Sequence, residues 1–178
     1  AEALLRWYHP EQGMIPPGKF IPSAERSGLI IPIGEWVLNE ACYQAQQWRK
    51  IHHLPSLVVA VNLSALQFKR GNLVETVTQA LEQSGLPAQH LELELTESVL
   101  LHDVNDVRNT LLSLKKMGVR LSIDDFGTGY SSLSYLKQLA VDKLKIDQSF
   151  ICDMVDDASD AAIVNAIIQL GHALDLSV

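Results

Sequence analysis

Residues 91–97 read Leu-Glu-Leu-Glu-Leu-Thr-Glu. Leucines at 91, 93 and 95 alternate with Glu92 and Glu94, and a strict period of two is the mark of a β-strand whose two faces differ. A strand of a parallel sheet covered on both faces should instead read as a nearly continuous apolar run, because neither face meets water. The run therefore admits two readings. One is an edge strand with a wet face. The other places Glu94 among inward-facing side chains near the mouth of a barrel, where a buried carboxylate must be paired or bind metal.

Outward from this run the chain alternates short β-type segments with helical patterns, the signature of βα units around a parallel sheet. Strands are predicted at 2–7, 57–63, 91–95, 119–124 and 143–146, and helices at 33–51, 72–83, 103–117 and 158–174. Gly85 and Gly118 stand where helix C-termini favour a left-handed residue. Residues 9–32 carry five prolines and three glycines, Gly13 and Gly18 among them. That is too much proline for a long helix, so an ordered loop with one short helix near 23–26 is expected. Five parallel strands do not close a (β/α)8 barrel, which usually needs about 250 residues. An open doubly wound sheet is the alternative, although no glycine-rich G-x-G-x-x-G turn follows any strand.

Polar groups recur at the predicted strand ends. The segment 121–125 finishes on two adjacent carboxylates, Asp124 and Asp125, followed by Phe126-Gly127-Thr128-Gly129. Neighbouring side chains on a strand point to opposite faces, so both aspartates share a site only if the backbone turns there, which Gly127 and Gly129 permit. Alternatively the pair starts a turn or caps a helix after Tyr130. Lys145 lies between Leu144 and Ile146 on a strand that should be buried, so its ammonium is expected to meet carboxylates or an anion. Asn62 closes the run 58–61 with a neutral oxygen ligand, and Glu2 precedes Arg6 by four residues. Glu, Asn, Glu, Asp and Lys thus fall at the C-terminal ends of five successive strands, where parallel barrels keep their active sites. Such hard oxygens favour magnesium or manganese over zinc.

Composition narrows the function classes. A chain of 178 residues, 47% hydrophobic, buries a substantial core, and a net charge of -7 argues against neutralising a long nucleic acid. Cys42 and Cys152 have no CxxC or Cys/His spacing, so both are expected to be buried thiols in a reducing compartment. His9, His52, His53, His90, His102 and His172 are scattered, which marks them as structural or exposed. Ser64, Ser131 and Ser132 lack a G-x-S-x-G setting, so a serine triad has no support. No apolar run of about 18 residues and no leader pattern appears, and a cytoplasmic segment without direct membrane contact is expected. Ala1 in place of Met points to a piece of a longer protein, which a membrane tether would still suit.

Six blocks together resemble a known family: EALLRW from Glu2, FIPSAERSGLI from Phe20, VNLSALQF from Val61, LELELTES from Leu91, IDDFGTGY from Ile123 and LKIDQSF from Leu144. In order and spacing they are similar to bacterial EAL domains over the whole chain. The resemblance implies an α/β fold, the EAL variant of the (β/α)8 barrel, as a single partial domain over 1–178 that lacks the first strand and the last two. It also implies hydrolysis of cyclic di-GMP to linear pGpG with two Mg2+ or Mn2+ ions. Glu2, Asn62, Glu94, Asp124 and Asp125 would be metal ligands, with Asp124 bridging. Lys145 would hold or polarise the water, and Arg6, with Leu4 and Asp147, would contact the ligand. Glu97 would anchor the loop at 126–130, which the family also uses near its dimer contact. The family's C-terminal catalytic glutamate lies past Val178, so a chain ending there is expected to be unstable alone and nearly inactive. A cyclic di-GMP receptor that binds without cutting is the alternative, and sensory or GGDEF-type domains are the expected companions.

Overall fold

The computed structural model describes residues 1–70, 72–97, 99, 104–129, 136–152 and 158–178. The chain divides into two compact units, residues 1–92 and 93–178. The first contains β1 (Glu2–Ala3), β2 (Trp7–His9), β3 (Gly13–Ile15), α1 (Pro17–Ser27), α2 (Ile30–Ile51), β4 (Val59–Leu63), α3 (Ala65–Arg70), α4 (Leu73–Ser84) and a 3-10 turn at Ala88–His90. Strand β5 (Leu91–Thr96) begins in the first unit and ends in the second. The second continues with α5 (Val104–Met117), β6 (Arg120–Phe126), β7 (Lys143–Ile146), α6 (Gln148–Cys152) and α7 (Ala158–Ala173). In the first unit β1 lies beside β4 and β2 pairs with β3 in a separate hairpin, and in the second β5, β6 and β7 follow one another in the sheet. In the first unit β1 runs parallel to β4, with Glu2 opposite Ala60 and Ala3 opposite Val61. In the second, β6 and β7 are parallel, with Ser122 opposite Lys143 and Ile123 opposite Leu144. This is the parallel α/β arrangement that the strand and helix periods imply.

Helix packing follows the sequence spacing. On α2 the buried residues Leu38, Ala41, Cys42 and Ala45 recur at three and four, and on α4 Leu73, Val77 and Ala80 do the same. Gly85 takes a φ of 67° and its N–H bonds the Leu81 carbonyl, closing α4 with the expected left-handed residue. Gly118 does the same after α5 at a φ of 93°. The helix expected from 103 is described from Val104, and Asp103 lies outside the described residues.

Strand β5 decides between the two readings of LELELTE. Leu91, Leu93 and Leu95 are fully buried, and Glu92 and Glu94 are only 5% and 3% exposed. With both glutamates as buried as the leucines, neither face of β5 is wet, and the wet-edge reading falls. Both of its faces are covered, so the glutamates are held inside despite their charge.

Residues 9–32 differ from the expected loop. Residues 7–15 form the β2–β3 hairpin, with Trp7 opposite Ile15 and His9 opposite Gly13. Pro10 pre-sets φ in the connection, and Gly13 supplies a φ of 68° at its end. The strand expected at 2–7 accordingly splits: Glu2–Ala3 joins the parallel sheet and Trp7 opens the hairpin. Helix α1 is 11 residues long and contains Pro22. An interior proline costs about 3 kcal/mol in a helix. Burial of Phe20 and Ala24 on one face, with Trp7 packed edge-on against Phe20 at 5.7 Å, offsets it. Pro17 sits at the first helical position, and Pro32 in the first turn of α2, where the N–H lacks an intrahelical partner anyway.

Leu93→Ala should destabilise the fold by about 2–5 kcal/mol, because the surroundings of this fully buried side chain cannot collapse around its loss. Urea denaturation followed by circular dichroism measures this, and an unchanged midpoint would show that β5 is not core.

Candidate functional site

In the second unit the C-terminal ends of three strands bring acid and base together. Lys145 of β7 donates from Nζ to Glu94 Oε2 of β5 at 2.8 Å and lies 3.1 Å from Asp124 Oδ2 of β6. Burial alone would lower the Lys145 pKa, but the hydrogen bonds to Glu94 and Asp124, with the charges of both, outweigh it and raise it. The lysine is therefore held as a cation between two carboxylates.

Asp125 is where the backbone turns. It adopts a φ of 53°, left-handed and uncommon for a residue with a Cβ. The pairing shifts at the same point: Ile123 faces Leu144 and Phe126 faces Ile146, three steps on β6 against two on β7. The extra residue is a β-bulge, a device that re-aims side chains next to active sites. It brings the Asp125 carboxyl into the same charge field as Asp124, rather than leaving the two on opposite faces. The turn expected of Gly127 and Gly129 is thus made two residues earlier, by Asp125 itself. Burial raises the Asp125 pKa, followed by the negative charge of Asp124 and the hydrogen bond and charge of Asp147, while Lys145 opposes the shift. Asp147 moves the other way. Hydrogen bonds from the hydroxyl and then the backbone N–H of Ser149 lower its pKa, with a further one from Asp125.

The two glycines serve close approach. A Cβ on Gly127, which has a φ of 106°, would stand 2.9 Å from the Phe150 ring. One on Gly129 would stand 2.9 Å from Glu97 Cδ. Glu97 Oε2 accepts from Gly127 N at 3.2 Å and Gly129 N at 3.0 Å, and the side chain is 6% exposed. A buried carboxylate thus clamps the loop that follows the two aspartates. Tyr130, and with it any helix cap supplied beyond it, lies outside the described residues, as do Ser98, His102, Ser131 and Ser132.

In the first unit Asn62 Nδ2 donates to Glu2 Oε1 at 2.8 Å. The register explains the meeting: Glu2 is opposite Ala60, and Asn62 lies two residues on, along the same face. Arg6 is exposed and its Nη1 donates to the Leu5 carbonyl at 2.9 Å. Leu4 and Arg6 both line a cavity of about 330 Å3 alongside Trp36 and Trp48. Arg6 also borders a larger, mainly apolar cavity of about 750 Å3 with Trp7, Phe20 and Lys19.

One group of residues escaped the sequence reading. Ser64 and Gln67 form a capping box at the start of α3. Ser64 Oγ accepts from Leu66 N at 3.2 Å, and Gln67 Oε1 accepts from Ser64 N at 3.0 Å. The signature S-x-x-Q was present at 64–67 and is sufficient to find it.

Glu94, Asp124, Asp125 and Asp147 offer only hard oxygen donors, and the Asp124 and Asp147 charges that add to burial in lifting Asp125 are what a bound cation would offset. Chemically the set fits magnesium or manganese. Among the described residues no group of three His, Cys, Asp or Glu is arranged as a ready coordination shell, and Lys145 provides the counter-charge. The histidines are structural where their partners are clear. The buried His90 bonds the Leu57 carbonyl through Nδ1 at 2.8 Å, and His9 Nδ1 accepts from Glu11 N. Cys42 is buried, and burial pushes its thiol up to about 12. Cys152 is exposed, contrary to expectation, because α6 is a five-residue helix with no buried residue.

The family model of the EAL domain matches residues 1–178. The bifunctional diguanylate cyclase/cyclic di-GMP phosphodiesterase MucR of Pseudomonas aeruginosa is 52% identical over 177 residues, 99% of this chain and 26% of MucR. The cyclic di-GMP phosphodiesterase NbdA of the same organism is 46% identical over 177 residues, 99% of this chain and 22% of NbdA. The chain thus spans about a quarter of the length of these curated relatives. A solved structure of the MucR phosphodiesterase in complex with c-di-GMP superimposes with a TM-score of 0.94, covering 98% of this chain and 70% of that one. With its parallel α/β sheet, its strand-end carboxylates and a family match along its entire length, the chain belongs to the EAL domain family.

Proposed function

We propose that this chain is part of a single EAL domain that hydrolyses one phosphodiester bond of cyclic di-GMP to give linear pGpG. The observation that carries the reading is the Glu94–Lys145–Asp124 arrangement at the ends of β5, β6 and β7, beside the bulge that turns Asp125 toward it. Relatives named as cyclic di-GMP phosphodiesterases, at 52% and 46% identity, support the substrate.

In this mechanism Glu94, Asp124 and Asp125, with Glu2 and Asn62 as further oxygen ligands, would hold divalent cations, Mg2+ or Mn2+. Two such ions, when bound, supply an activated water and neutralise charge on the phosphodiester. Lys145, kept protonated by its two carboxylates, orients that water and offsets charge that develops on the phosphate. Glu97 holds the loop after Asp125 rigid by accepting from two backbone N–H groups, so the aspartates do not drift. Arg6 binds the ligand's phosphate or sugar through its guanidinium fork, with Leu4 and Asp147 as further contacts. A receptor that binds without cutting has no need of this full donor set, which favours the enzyme. The parent protein is cytoplasmic in this reading and carries sensory or GGDEF-type domains. It dimerises near the loop at 126–130. No described helix is long and apolar enough to cross a membrane.

Asp124→Ala in the protein carrying this domain should lower turnover of cyclic di-GMP by about a hundredfold or more, by analogy with the loss of other groups that stabilise reacting oxygens. Chromatographic separation of products measures it, and near-normal turnover would remove Asp124 from the ligand set. For the unaltered protein, pGpG formation should stop on addition of a chelator and return with excess Mg2+ or Mn2+. Turnover that persists through chelation would contradict the metal requirement.

A further inference from the structure

Asn62 is exposed at the end of a five-residue strand, and an exposed amide on a short strand needs support if it is to hold one geometry. Two residues on, Ser64 is tied from two helices. Its Oγ donates to Glu25 Oε1 of α1 at 2.7 Å while accepting from Leu66 N of α3. Its backbone N–H donates to Gln67 Oε1 of α3, whose side chain is 6% exposed. Gly34 of α2 makes room for that side chain, since a Cβ there would stand 2.0 Å from Gln67 Nε2. An ordinary capping box closes on itself. Here a carboxylate from a separate helix accepts a charge-assisted hydrogen bond from the serine hydroxyl, and a third helix carries a glycine where it approaches Gln67 most closely. Only Leu63, 3% exposed, separates this anchored residue from Asn62.

We propose that Glu25, Ser64 and Gln67 are positioning residues that set the carboxamide of Asn62 against Glu2 for cation binding. The inference rests on the reading of Asn62 and Glu2 as ligands. Residues that orient metal ligands typically change metal affinity by about 10–100-fold when removed. Glu25→Ala should therefore weaken Mn2+ binding about tenfold and lower kcat, with KM for cyclic di-GMP changed less than about twofold. Glu25→Gln keeps an acceptor oxygen for Ser64 and should restore both quantities.

The test is Mn2+ titration of the protein carrying this domain, followed by electron paramagnetic resonance or calorimetry, with steady-state turnover measured in parallel. A folded Glu25→Ala protein with unaltered Mn2+ affinity overturns the proposal, as does a Glu25→Gln protein no better than Glu25→Ala. If Glu25→Ala does not fold, Ser64→Ala removes the same hydrogen bond from the other side, with Ser64→Thr as the variant that keeps the hydroxyl. Should neither alanine variant fold, the network serves the fold and the proposal is overturned. Unaltered protein that neither binds Mn2+ nor cuts cyclic di-GMP would instead remove the functional reading itself. Unaltered protein that does both, beside an unaffected Glu25→Ala, removes only the positioning role.

Discussion

Glu94 is an ionisable side chain on a β-strand and is 3% exposed, so it must be compensated where it stands. Lys145 does this at 2.8 Å and reaches Asp124 in the same geometry. Removing Lys145 would cost more than never having built the pair, because Glu94 itself is buried and would lose its cationic partner. The arrangement therefore constrains three strand ends at once. It sets which residue of β7 faces Glu94, and it gives β6 a reason to end on a carboxylate. It also holds a cation beside an acidic cluster that would otherwise repel itself.

The acidic cluster depends on one irregular residue. Without the bulge at Asp125, strand alternation would send Asp124 and Asp125 to opposite faces. A left-handed residue with a Cβ is a local strain, and strain of this kind persists where the surroundings over-determine it. Those surroundings are the Glu97 clamp on Gly127 and Gly129 and the Ser149 bonds that hold Asp147 next to Asp125. The strain and the charge repulsion sit in one place, where carboxylate oxygens are gathered.

Much of this was legible from residue spacing. β7 occupies residues 143–146 as predicted, and the four long helices agree within a few residues, because their 3.6-residue periods and terminal glycines are strong local signals. The strand ends that carry Glu94, Asp124 and Lys145 were readable for the same reason: polar residues interrupting apolar strands stand out. Residues 9–32 were not. Pro22 is a local signal against helix, and burial of Phe20 and Ala24 overrides it through contacts that spacing does not show. α3 is only six residues long, too short for a period, and its capping signature was the readable clue. The bulge was hidden because register belongs to two strands at once, and one strand's sequence does not contain it.

The central claim is that water, directed by this set of carboxylates and Lys145, attacks a phosphodiester of cyclic di-GMP. It is tested most directly by running the reaction in water enriched with the heavy oxygen isotope and weighing the product by mass spectrometry. The account predicts linear pGpG with a single heavy oxygen on its newly formed terminal phosphate. Cyclic dinucleotide recovered intact, or a linear product without the label, would contradict it.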